Sequence, residues 1–164
     1  MPETIDKEAL IRSFIPEAVL IPLTPEATAA MPAKGSHNGM IPVWKTPFRI
    51  GRESRMEIDE NGNVTVKERY KHGFITAEVN DIYLFDLGEK FQISREHLRI
   101  DKNGEGYFVL DRGSKCGSAV GDTRIGADSL TEQVPLNDGD TVVLGTDHSP
   151  YRYRFVVLQE RSAE

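Results

Sequence analysis

Residues 93–100 read ISREHLRI and residues 110–117 read LDRGSKCG. In the first stretch Leu98 and Ile100 flank Arg99, the period of two that marks a strand with one buried face. The pattern predicts a strand over 93–100, with Ser94 and His97 three residues apart near its start. Working outward, 106–111 and 81–87 read as further strands, and 56–70 (MEIDENGNVTVKERY) reads as a polar hairpin turning at Asn61–Gly62. Short strands are expected at 41–45 and 48–51, and others at 141–145, after the turn at 137–140, and at 151–158, where YRYRFVVL alternates aromatics with arginines. Residues 18–23 (AVLIPL) form an apolar strand in which Pro22 suggests an edge position, because proline cannot donate to a ladder. Residues 25–39, rich in Pro, Ala, Gly, Ser and Asn, read as a loop. Only residues 5–14 read as a helix, with Ile5, Leu10, Ile11 and Phe14 as its apolar residues and Pro16 as its stop. Many short strands divided by turn signals describe an all-β sandwich or barrel.

Composition narrows the function. The chain has 164 residues, one domain's worth, and 38% of them are hydrophobic, enough for a core. Lys and Arg total 20 against 26 Asp and Glu, a net charge of −6, which argues against unspecific binding to nucleic acid. One cysteine forms no internal disulfide. No apolar run approaches a membrane span, and residues 1–30, with early acids and many prolines, do not read as a signal peptide. A soluble monomer in a reducing cytoplasm is the default expectation. Enzyme signatures are missing: there is no G-x-S-x-G, no phosphate-binding G-x-x-x-x-G-K-[ST] and no H-E-x-x-H. The histidines at 37, 72, 97 and 148 and the single cysteine have no zinc-ligand spacing. No metal, cofactor or catalytic residue is expected.

Five short motifs in order carry more than composition does. They are Ile50–Gly51–Arg52, Asn80–Asp81–Ile82, Ser94–Arg95–Glu96–His97, the run from Asp111 to Ser118 with Ser114 and Gly117 inside it, and Leu136–Asn137–Asp138–Gly139–Asp140. Together they resemble the forkhead-associated (FHA) domain family, whose motifs run Ile-Gly-Arg, Asn-Asp-Ile, Ser-Arg-x-His, Asp-x-x-Ser-x-Asn-Gly-Thr and Leu-x-x-Gly-Asp. The resemblance implies an eleven-stranded β-sandwich over 16–160, preceded by a helical extension at 1–15 and followed by a tail at 161–164. It also implies an insertion at 53–79 that contains the hairpin.

The resemblance further implies that loops at one end of the sandwich bind phosphothreonine in a partner protein, without catalysis. A phosphothreonine brings about −1.5 to −2 charges and three acceptor oxygens, so its reader needs a fixed guanidinium and several donors. Arg52, Ser94, Arg95, Lys115, Cys116 and Ser118 take the positions of peptide contacts, and Gly51, His97 and Gly117 those of residues that shape the loops. The sequence departs from the family at Cys116, where an asparagine usually holds the peptide backbone; a thiol donates and accepts only weakly. Ser118 keeps the hydroxyl of the usual threonine. Three functions remain open on these residues: a phosphothreonine-reading adaptor, a scaffold of the same fold that binds its partner without phosphate, and an enzyme using His97 with a nearby acid.

Overall fold

The computed structural model describes residues 4–54, 56–66 and 79–160. In chain order the elements are α1 (Lys7–Ser13), β1 (Ala18–Pro22), α2 (Pro25–Ala30), β2 (Ile41–Val43), β3 (Phe48–Arg52), β4 (Met56–Ile58), β5 (Val64–Val66) and β6 (Ile82–Leu84). They continue with β7 (Leu98–Asn103), β8 (Gly106–Asp111), β9 (Ser118–Val120), β10 (Thr123–Ile125), β11 (Gln133–Leu136), β12 (Thr141–Leu144) and β13 (Arg152–Val157). Eleven of the strands form two sheets, ordered β10-β9-β12-β13-β1-β2 and β11-β8-β7-β3-β6, while β4 and β5 pair only with each other. All pairings are antiparallel except β3 with β6. The all-β sandwich expected from the sequence is the fold.

The inner faces of the two sheets make the core. Along β13 the alternation is direct: Tyr153 and Phe155 are buried, Arg154 is exposed and Arg152 is half-buried. Leu20, Ile41, Ile50, Leu98, Ile100 and Leu144 pack with them and are essentially inaccessible. Each such side chain contributes about 1.5–3 kcal/mol when fully buried. The ring of Tyr107 meets Phe155 edge-on at 5.1 Å.

Several elements differ from the sequence reading. The stretch 25–39 is not all loop. Thr24 accepts the Ala27 N–H, Pro25 occupies the first turn, and α2 buries Ala27 and Ala30. The buried Tyr153 hydroxyl donates to the Ala27 carbonyl and fixes this helix to the sandwich. Strand β1 is interior, between β13 and β2, despite Pro22. Leu23 donates its N–H to Arg152, so odd-numbered residues of β1 bond toward β13 and even-numbered ones toward β2. The last β2 partner is Ile41, opposite Leu20, so the ring nitrogen of Pro22 lies beyond the end of β2 and no ladder bond is lost. The strand read at 93–100 begins only at Leu98, because Ser94 to His97 belong to the loop before it. Strands β9, β10 and β11 carry no alternation long enough to read, and the sequence reading did not name them.

The hairpin at 56–66 is present, with Asp59 accepting the N–H groups of Asn61 and Asn63 through its carboxylate. The remainder of the hairpin as read, 67–70, and the tail at 161–164 lie outside the described residues. The expected N-terminal helix forms at Lys7–Ser13 with Asp6 as its cap, so Ile5 precedes it, and no residue of the helix is buried. No helix among the described residues is long and apolar enough to cross a membrane.

Candidate phosphopeptide-binding loops

Three loops, 85–97, 112–117 and 145–151, meet at one end of the sandwich. Gly145 donates its N–H to Gly117, the Thr146 N–H reaches the Gln92 side chain at 2.8 Å, and the Cys116 thiol lies 3.4 Å from the Phe91 carbonyl. Strand β3 delivers Arg52 to this end. Its backbone N–H donates to the Ser94 carbonyl (3.0 Å), while its guanidinium donates to the carbonyls of Ile93 (3.0 Å) and Glu53 (2.9 Å). The cation is therefore oriented before any ligand arrives, which lowers the ordering cost of binding. Ser94 is half-buried, and its hydroxyl accepts the Lys115 N–H at 2.9 Å, which leaves the O–H to donate. Arg52, Ser94 and Lys115 are thus joined directly by hydrogen bonds. Arg95 is half-buried beside them, and the Lys115 side chain is exposed.

Behind these groups stands His97, fully buried. Its Nδ1 accepts the Ser94 N–H (2.9 Å), so the ring proton sits on Nε2 and is donated to the Gly117 carbonyl (2.8 Å), with the Ser118 hydroxyl 2.9 Å away. One imidazole thereby ties the loop that carries Ser94 to the loop that carries Cys116. Burial, as the largest cause, holds its pKa down to about 4, so the ring is neutral near pH 7. Inaccessible, and with both nitrogens engaged, it does not offer the base that a catalytic reading requires. Ser118 also moves from its expected role. It is fully buried at the first position of β9 and touches His97, so its side chain is not at the peptide surface.

Glycines permit the close approaches. A Cβ on Gly51 would lie 1.9 Å from the Arg95 carbonyl oxygen and 2.3 Å from the Asn80 side-chain nitrogen. Gly117 has φ +71°, and a Cβ there would meet the Ile125 carbonyl at 2.6 Å.

Four further residues build the site. Asn80, buried, donates to the Arg95 carbonyl (2.7 Å) and accepts from Arg112 (2.5 Å), fixing the backbone at Arg95. Asp86 accepts the N–H groups of Gln92 and Ile93 on one oxygen and the Tyr151 hydroxyl (2.8 Å) on the other. Burial first, and then this bond and the charge of Asp86, push the Tyr151 phenol up to about 12. Asp111 accepts the N–H groups of Gly113 and Ser114, and Arg124 donates to the carbonyls of Cys116 and Gly145. An Asp two residues before Gly is a turn signal present at both Asp111 and Asp86; Arg124 has none.

A model of the FHA domain family matches residues 48–145. Among solved structures, the chain is similar to the FHA domain of an Arabidopsis thaliana hypothetical protein. The identity is 18% with a TM-score of 0.50, and the match covers 92% of each chain. It is also similar to Mycobacterium tuberculosis EmbR, solved in complex with a low-affinity phosphopeptide. There the identity is 19% with a TM-score of 0.49, over 95% of this chain and 30% of that one. A search of curated protein sequences finds no match.

Proposed function

The chain belongs to the FHA domain family, and from that premise we propose that it is an interaction module that reads phosphothreonine in a partner protein. The observation that carries the reading is the triple junction of Arg52, Ser94 and Lys115. It combines a pre-oriented guanidinium, a hydroxyl left to donate and, on the residue whose N–H bonds to that hydroxyl, the exposed lysine side chain. Basic residues set in rigid loops are the general means by which such modules hold a phosphate. Arg52 and Ser94 contact the phosphate, while Arg95 and Lys115 add charge around it. Cys116 lies under the peptide backbone, and His97, Gly51, Gly117 and the buried Ser118 hold the loops from behind. No cofactor and no metal take part.

One observation favours the phosphate-independent alternative. Cys116 stands where the family's asparagine would anchor a peptide, and the loop whose Phe91 carbonyl meets its thiol exposes Phe91 (56%) and Leu87 (74%). Such side chains suit a partner held by apolar contact.

Calorimetric titration with one phosphothreonine peptide and its unphosphorylated twin separates the two. Arg52→Ala is expected to weaken the phosphopeptide by about 2 kcal/mol, roughly thirtyfold, as a lost charge-assisted bond. Cys116→Asn is expected to tighten it about three- to tenfold by restoring one backbone hydrogen bond, and only while Arg52 is present. Equal binding of both peptides by the wild type and by the asparagine variant gives the site to the scaffold reading instead.

A further inference from the structure

At the opposite end of the sandwich, α1 lies with every residue exposed, including Leu10 (51%) and Ile11 (60%), and its C-cap Phe14 is exposed too (75%). At 100° per residue, Leu10, Ile11 and Phe14 share one face with Lys7, while Glu8 and Arg12 lie on the other. A seven-residue helix is about half the length at which isolated helices become stable in water. Most short helices are held by burying their apolar stripe, and this one buries nothing. The bonds that tie it to the sandwich include the Gln159 amide donating to the carbonyls of Arg12 (3.3 Å) and Ile15 (2.7 Å).

Gln159 also lines a groove of about 920 Å³, open to solvent, between the β7–β8 turn, the β11–β12 turn and the end of β13. Its lining includes the apolar Tyr107, Leu136 and Val157. Leu158, also in the lining, is exposed (47%). Its charged residues are Glu105, Asp138 and Glu160 against the single cation Lys102, a net charge of −2. A lining that sets apolar side chains among polar and acidic ones complements the face of α1 that carries large apolar side chains and Lys7. The helix is held to one side of the groove by Gln159, so it does not enter the groove of its own chain. A two-fold axis at this end would set each helix over the other chain's groove, an isologous contact made twice.

We propose that the chain forms a homodimer in which α1 of each copy docks into the groove of the other, with Lys7 facing the acidic rim. This replaces the monomer expected from the sequence. It is independent of what the loops bind, because the loops lie at the far end of the strands and stay open in both copies.

The test is sedimentation of the full chain from about 1 μM to about 500 μM, a range that covers typical weak dimers. A concentration-dependent dimer is expected. Leu10→Glu on the helix, and Glu105→Lys with Glu160→Lys on the groove, should each weaken it at least tenfold. All three positions are exposed, so the variants should melt as the wild type does. Mixing the helix variant with the groove variant should recover part of the association, because the mixed pair keeps one intact helix–groove contact where each variant alone keeps none. A monomer throughout the range overturns the proposal. So does a dimer indifferent to the helix change, to the groove change, or to mixing.

Discussion

His97 does its work uncharged, and that makes the fold sensitive to acid. The unfolded chain binds a proton at its histidine below about 6.5, while the buried ring resists protonation down to about 4. Between those values the unfolded state holds a proton that the folded state lacks. Stability from this residue is therefore complete above pH 6.5 and is lost as pH falls toward 4, by about 3 kcal/mol over the full span. Urea midpoints between pH 7.5 and pH 4 measure it. His97→Asn should cost about 1–2 kcal/mol at neutral pH through lost hydrogen bonds and should flatten this part of the profile. A His97 variant with the same acid slope as the wild type would place the titration elsewhere. Gly51 is constrained in a different way. Gly51→Ala drives a methyl to 1.9 Å from the Arg95 carbonyl oxygen, so the strand or the loop must move. The expected loss is about 1–3 kcal/mol in denaturant melts, with weaker phosphopeptide binding because Arg52 and Arg95 shift together.

Among the elements, the β4–β5 hairpin forms a two-stranded sheet of its own. It pairs with itself and with neither main sheet, although it begins only four residues after Arg52. Replacing residues 55–78 with a short Gly-Ser linker should leave the sandwich folded and change its stability by less than about 1 kcal/mol, since loop length costs little entropy. Loss of cooperative melting in that variant would show that the segment belongs to the core. The elements that were legible in the sequence are those with their own local signal: the alternation of β13, the Asn61–Gly62 turn and the Pro16 stop after the N-terminal helix. Those that were missed depend on neighbours. Strand β9 is three residues long, and α2 begins with a Thr-Pro-Glu signal that the surrounding glycines and prolines obscured. The interior position of β1 follows from where β2 stops, which no residue of β1 records. At the site, motif order located Arg52, Ser94 and His97. The burial of Ser118 and the bracing by Asp86 and Arg124 depend on contacts across the loops, at sequence separations invisible to any local pattern.

At the scale of the whole molecule, the strands separate two ends of different character. One end gathers cations and backbone donors in three braced loops on an otherwise acidic protein, and the other carries the uncovered helix and the groove. Strand β1 joins them from the middle of its sheet, paired on one side with β13 from Ala18↔Val157 to Pro22↔Tyr153. That pairing has a consequence for synthesis. The ribosome releases β1 more than a hundred residues before its main partner exists, so a nascent chain carries Val19 and Ile21 through that interval with their bonds to β13 unmade. The six-stranded sheet cannot close until β13 has left the exit tunnel. In that interval β2 alone is available to shield β1, and on its outer edge Pro42 offers no N–H to a passing strand, since Val19 opposite it bonds toward β13. Seen during synthesis, that proline guards an unfinished sheet against pairing with a neighbouring nascent chain.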